Sequence, residues 1–280
     1  MASSLRLGQF LRGQSGVYTL GKQVQKTVWL ATALSHHFHL QNERDVLKCF
    51  HSRNPFIRPL VDEVIEPSDP PAIVLEYLDE NIPDVSMVLH QDNFVHTDVK
   101  PDNILLNHGQ GGTRFPNVQL ADCGSTVPSV SAYARDGDLI GAPIWRSPEV
   151  HLQIGWGAAT DIWSFGAFLI TLLYEDNLLS FKPDVSADHD EYGLKILQRQ
   201  CDFFGPFPLT YREICPQETL NVLAYIMQNI PLEKKKPFSR ISVKEISKED
   251  KEFSLKIMKL DPRDRPSAAW LLQDKWFDKP

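Results

Sequence analysis

The sequence predicts an α+β chain of two lobes, a small one rich in strands followed by a larger, mainly helical one. Before residue 82 the apolar residues fall into short β-type runs, Thr27–Ala31, Ile57–Ile65 and Ile73–Tyr77, interrupted by one stretch of helical spacing, Asn42–Phe50. Beyond about Ser86 helical patterns dominate. The segment Asp161–Tyr174 is apolar on nearly every face, the mark of a helix buried inside its lobe. A chain of 280 residues can bury two such cores. The division read from these patterns is an N-terminal extension over 1–17, a strand-rich lobe over 18–82 and a helical lobe over 83–280.

Within the first lobe, Glu66-Pro-Ser-Asp-Pro-Pro71 collects turn residues between two strand candidates, so Ile57–Ile65 and Ile73–Tyr77 are expected to form a hairpin. The glycine-rich Asn107–Thr113 reads as a second hairpin. Between Asp184 and Lys251 prolines divide the chain repeatedly, as in Phe203-Phe-Gly-Pro-Phe-Pro208, and the basic run Lys234–Lys236 adds to a reading of loops with short helices.

Composition excludes several function classes. With 42% hydrophobic and 23% charged residues the chain lies in the ordinary globular range, away from disorder. A net charge of −7 offers no general attraction to nucleic acid or to anionic membranes. The longest apolar run, Gly166–Tyr174, falls well short of the roughly 20 residues a membrane helix needs, and the N-terminus lacks the apolar core of a signal peptide. Cys49, Cys123, Cys201 and Cys215 form no C-x-x-C pair and are too sparse for a disulfide framework, which predicts a reducing, intracellular setting, cytoplasm or nucleus. The cluster His36-His-Phe-His39 has no further Cys or His at ligand spacing, so zinc is not expected.

The chemistry concentrates in a few strings. His96-Thr-Asp-Val-Lys-Pro-Asp-Asn-Ile-Leu-Leu106 places a carboxylate, an ammonium and an amide in one loop between apolar strands. Phosphoryl transfer needs those three groups: an aspartate to orient the attacking hydroxyl, a lysine to offset charge on the moving phosphoryl group, and an amide oxygen to help hold a metal. Leu120-Ala-Asp-Cys-Gly-Ser125 sets a second carboxylate between an apolar strand and a glycine, where a metal-holding group on a flexible turn would sit. Further on come Gly141-Ala-Pro-Ile-Trp-Arg-Ser-Pro-Glu149, Asp161-Ile-Trp-Ser-Phe-Gly166 and Leu260-Asp-Pro-Arg-Asp-Arg-Pro266.

In this order the five strings resemble the eukaryotic protein kinases of serine/threonine type, and the resemblance implies a bilobal kinase-like fold. It assigns Asp98 as catalytic base, Lys100 as the cation near the γ-phosphate, and Asn103 and Asp122 as metal ligands. Glu76 and Tyr77 would line the adenine site at the hinge. The implied cofactors are ATP and Mg2+, and the implied partner is a protein with a serine or threonine hydroxyl, acted on by a monomer. Glu149 and Arg265 are implied as a structural ion pair. Thr97 stands where the family usually has arginine, which argues against control by phosphorylation of the activation segment. That threonine, Trp145-Arg-Ser-Pro-Glu-Val150 and Phe203–Pro208 are similar to the SR-protein kinase branch of the CMGC group, whose substrates would be basic or arginine-serine-rich.

The first lobe departs from the family pattern. Either Gly13-Gln-Ser-Gly16 is the remnant of the glycine-rich loop and Ala31 replaces the strand lysine, or Tyr18–Ala31 is strand, loop and strand and the lysine strand is missing. The second register is preferred, because V-W-L-A closes the second strand in related kinases. Both leave Glu43, in the ion-pair position of the Asn42–Lys48 helix, without its lysine; Lys22 and Lys26 read as solvated charges. Only 20 residues separate Glu76 from His96, fewer than the family spends on two helices and a turn, and Met87–His90 resembles just the last turn of the second. The chain is therefore expected to be an impaired kinase, with a pseudokinase serving as a binding or scaffold module as the alternative.

Overall fold

The computed structural model describes residues 6, 9–20, 37–50, 53, 57–66, 68, 71–75, 86–107, 117–173, 181–230 and 237–278. Among them the strands are β1 (Phe10–Gly13), β2 (Val17–Thr19), β3 (Leu60–Glu66), β4 (Ile73–Leu75), β5 (Phe94–Val95), β6 (Ile104–Asn107), β7 (Asn117–Leu120) and β8 (Val127–Pro128). The helices are α1 (His37–Phe50), α2 (Ser86–Gln91), α3 (Ala132–Asp136), α4 (Pro148–His151), α5 (Ala159–Leu173), α6 (Tyr192–Phe204), α7 (Gln217–Gln228), α8 (Lys248–Ile257) and α9 (Ala268–Leu271). The fold is α+β, as the sequence predicts. It divides into two compact units, one of residues 1–88 and 101–126, the other of residues 89–100 and 127–280.

In the first unit an antiparallel sheet runs in the order β2-β1-β3-β4. The hairpin expected around residues 66–71 is present, with Leu60 opposite Leu75 and Glu63 opposite Ile73. Helix α1 begins five residues before the predicted Asn42 and turns Leu40, Glu43, Val46, Leu47 and Phe50 inward at helical spacing. Glu43 is the one carboxylate on that apolar stripe. The second predicted hairpin is β6–β7, in register from Ile104 opposite Leu120 to Asn107 opposite Asn117.

In the second unit α5 is the central element. Ten of its residues from Thr160 to Ile170 are buried, and Trp163 is stacked on Phe181 at 5.7 Å and meets Phe204 edge-on at 6.0 Å. Helix α5 packs against α8. The reading of residues 184–251 as loops with short helices is corrected: α6 has 13 residues and α7 has 12. Ile196, Leu197, Gln200 and Cys201 form the buried stripe of α6, and the prolines that suggested loops lie beyond its C-terminus at 206 and 208. β5 pairs with β8, and Val95 packs with Ala134, Val150 and Trp156 in one buried cluster. No helix among the described residues is long and apolar enough to cross a membrane.

Candidate active site

Two short loops, one in each unit, carry Asp98, Lys100, Asn103 and Asp122. In the second unit the chain leaves β5 into the segment 96–100, and Asp161 in the first turn of α5 fixes its shape. The Asp161 carboxylate, 1% exposed, accepts from the backbone N–H of His96 at 2.8 Å and of Thr97 at 2.9 Å, and His90 Nε2 lies 3.0 Å from it. Burial alone would raise this carboxyl; the His90 hydrogen bond, aided by His90 and His96 charge and the His96 amide, outweighs it and holds the group below the ordinary carboxylate range.

These bonds support a strained backbone. Thr97 has φ 72°, a left-handed conformation that β-branched residues rarely adopt and that costs about 1–3 kcal/mol. The strained residue delivers Asp98 to a defined place. Asp98 Oδ2 accepts from Lys100 Nζ at 2.6 Å, and Oδ1 accepts from the backbone N–H of Ala142 at 3.2 Å. Gly141 permits that approach: it has φ 63°, and a Cβ there would lie 2.6 Å from the Thr97 carbonyl oxygen. Arg146 holds the segment by donating to the carbonyls of Ile140 and Gly141 at 2.7 and 2.8 Å, and Gln200 Nε2 donates to the Arg146 carbonyl at 2.8 Å.

In the first unit the β6–β7 hairpin brings Asn103 and Asp122 to the same end. The Asn103 carbonyl accepts from Ala121 N–H at 2.7 Å, and Asp122 follows in the left-handed region at φ 59°, ψ 61°. Asn103 is buried and Asp122 exposed, and the Asp122 carboxylate caps no backbone group of the 3₁₀ turn Cys123–Ser125. An amide oxygen and a carboxylate are hard donors. Residues of this chemistry would suit a small divalent cation such as Mg2+, which prefers oxygen ligands.

Helix α1 packs on this turn. Glu43, 4% exposed, accepts a hydrogen bond from the Cys123 N–H, so the carboxyl that the sequence leaves without its lysine has a backbone partner. Burial, reinforced by the Asp122 charge and only partly opposed by Arg58 and the Cys123 amide, pushes it up to about 7.

Sequence reasoning missed Asp62. This β3 carboxylate, 5% exposed, accepts from Gln14 N–H at 3.0 Å, Ser15 N–H at 2.9 Å and the Tyr18 hydroxyl at 2.8 Å. The amides of the Gly13–Gly16 turn, which one register offered to phosphates, are thus taken by an internal anion, and a phosphate there would meet a like charge. A Cβ at Gly13 would clash with the Asp62 carboxylate, which accounts for the glycine. Glu76, Tyr77, Lys22, Lys26 and Ala31 lie outside the described residues.

The sequence profile described as protein kinase domain matches residues 82–277, more than half of the chain. Serine/threonine-protein kinase sid1 of Schizosaccharomyces pombe is 40% identical over 84 residues, which is 30% of this chain and 17% of that protein. Serine/threonine-protein kinase SKM1 of Saccharomyces cerevisiae is 35% identical over 85 residues, 30% of this chain and 12% of that one. Serine/threonine-protein kinase DCLK1 of Rattus norvegicus is 31% identical over 130 residues, 45% of this chain and 28% of that one. The chain thus spans less than a third of the length of these relatives. With the carboxylates, lysine and amide of the two loops inside the matched stretch, the chain belongs to the protein kinase domain family.

Proposed function

We propose that this chain is a serine/threonine protein kinase that transfers the γ-phosphate of Mg-ATP to a protein hydroxyl. The observation that carries the reading is the environment of Asp98: one carboxylate oxygen on the Lys100 ammonium at 2.6 Å, the other on the Ala142 N–H at 3.2 Å. A carboxylate fixed at both oxygens is set to accept a hydrogen bond from a substrate hydroxyl and to take its proton as the phosphoryl group moves. Lys100 places positive charge beside that proton transfer. Asn103 and Asp122 would hold the magnesium ion, whose chemistry when bound is to neutralise phosphate charge. Glu76 and Tyr77 would hold the adenine.

Retention of this whole set favours the enzyme over a pure binding module. The relatives named above are all serine/threonine-protein kinases by name, which supports the same hydroxyl class. The narrower SR-protein kinase resemblance, and with it a basic or arginine-serine-rich substrate, rests on Thr97, Trp145–Val150 and Phe203–Pro208 alone. Our domain reading takes 18–82 as a shortened first lobe and 83–280 as the second, the profile match covering residues 82–277. The cysteines among the described residues are free thiols, in keeping with a reducing intracellular compartment.

The test is Mg-ATP-dependent labelling of a serine-rich basic protein by the chain and by Asp98→Asn, which keeps the shape and removes the base. Labelling by the chain and none by the variant is the expected result. Equal labelling by the two would remove Asp98 from the mechanism.

A further inference from the structure

We propose that Asn42 is a positioning residue for Asp122: its side-chain amide, clamped on the backbone of the Asp-Cys-Gly turn, sets the geometry in which the turn receives a metal–nucleotide complex. The inference rests on the reading of Asp122 as a metal ligand. It goes beyond that reading by assigning a role to a residue of helix α1 whose side chain binds the turn's carbonyls.

Asn42 Nδ2 lies 2.9 Å from the Thr126 carbonyl oxygen, 3.0 Å from that of Gly124 and 3.4 Å from that of Cys123. Three carbonyls can only accept, so the NH2 end of the amide faces them. His39, one helical turn earlier, adds a contact from Nδ1 to the Gly124 carbonyl at 3.1 Å; since that oxygen accepts, Nδ1 carries the proton. Glu43 accepts from the Cys123 N–H on the same turn. Residues 39, 42 and 43 share one face of α1, so a single rigid helix grips both the donors and the acceptors of residues 123–126.

The grip matters because of what precedes it. Asp122 is in the left-handed region, a conformation it holds without any capping bond from its own side chain. Aspartate pays a penalty there that relaxation to an ordinary conformation would remove, and that relaxation would swing the carboxylate away from the Asn103 end of the hairpin. Residues 123–126, fixed on α1, block the relaxation. Cys123 is fully buried as a consequence, which makes its thiol a reporter of the clamp.

The experiment uses the full chain, Asn42→Ala and Asn42→Asp; the second keeps the shape and replaces the donor by an acceptor facing three carbonyls. Binding of a fluorescent ATP analogue is titrated with Mg2+, with Asp122→Asn as reference. Alkylation of each cysteine by iodoacetamide is followed by mass spectrometry in the absence of nucleotide. Cys49 is exposed and reports the reagent, while buried Cys201 reports whether the second unit stays folded. Loss of a group that orients a metal ligand typically weakens metal binding about ten- to a hundredfold. We expect the Mg2+ midpoint to rise by about that factor, metal-free nucleotide binding to be unchanged, and Cys123 to react faster while Cys201 stays protected. A residue with a merely structural role would not separate the metal-dependent from the metal-free affinity. Variants with the wild-type Mg2+ midpoint would overturn the assignment while leaving the kinase reading intact. A wild-type chain that binds nucleotide no better with Mg2+ than Asp122→Asn does would overturn both.

Discussion

Arg265 and Glu149 face each other through two parallel hydrogen bonds, 2.6 and 2.8 Å long, between side chains of zero exposure. The guanidinium also donates to the carbonyls of Lys259, Ala159 and Leu260 and lies 5.1 Å from the Trp163 ring centre. All its donors are matched, so the pair survives burial that would otherwise be costly. Arg265→Leu strands the Glu149 charge and is expected to lower stability by about 3–5 kcal/mol. Denaturant titration reads this directly, and a loss under about 1 kcal/mol would contradict it.

Asp161 organises the segment 96–100 by accepting from two consecutive amides and from His90. Asp161→Asn puts an NH2 group against donors and is expected to cost about 2–4 kcal/mol, since the lost bonds are charge-assisted. Transfer should fall with it, because Thr97 loses the support for its left-handed backbone. Unfolding midpoints unchanged from wild type would remove Asp161 from this role.

Acid should expose the pairing of Asp261. Its carboxylate, 2% exposed, accepts from Arg263 Nε at 3.0 Å, Arg263 Nη2 at 2.8 Å and Thr210 Oγ1 at 2.6 Å, and the Arg263 hydrogen bond is the largest cause holding it down at about 2. A folded value below the unfolded one means the contribution is full above the ordinary carboxylate value and is lost as pH falls toward 2. The contribution is about 2 kcal/mol. Thermal melts of wild type and Asp261→Asn should therefore converge between pH 4 and pH 2; a gap that stays constant over that window would contradict the shift.

Asp62→Ala leaves the amides of Gln14 and Ser15 and the Tyr18 hydroxyl without their acceptor and is expected to destabilise the first unit by about 1–3 kcal/mol. ATP affinity of the folded fraction should not weaken, because the turn amides already donate to the Asp62 carboxylate. A large loss of affinity at unchanged stability would return Gly13–Gly16 to the nucleotide site.

How much of this was legible depended on the range of each interaction. Asp98, Lys100, Asn103 and Asp122 stood out as candidates because their chemistry is packed into two short strings, and α5 because nearly every face is apolar. Asp62 could not be paired with a turn 47 and 48 residues away in sequence, since nothing local to either marks the contact. The role of Asn42 was hidden for the same reason: its carbonyl partners lie 81 to 84 residues downstream. A polar residue beside the Leu40–Glu43–Val46 stripe was the one available signal. Helices α6 and α7 were read too short because flanking prolines outweighed a four-residue apolar period.

Kinase activity of this chain is read by the initial rate of phosphate transfer from labelled Mg-ATP to a basic serine-rich protein. The expected result is a measurable rate, below the roughly 1–100 per second of ordinary kinases because the sequence offers no strand lysine, and abolished in both Asp98→Asn and Asp122→Asn. A chain that labels the substrate no faster than Asp98→Asn would contradict it.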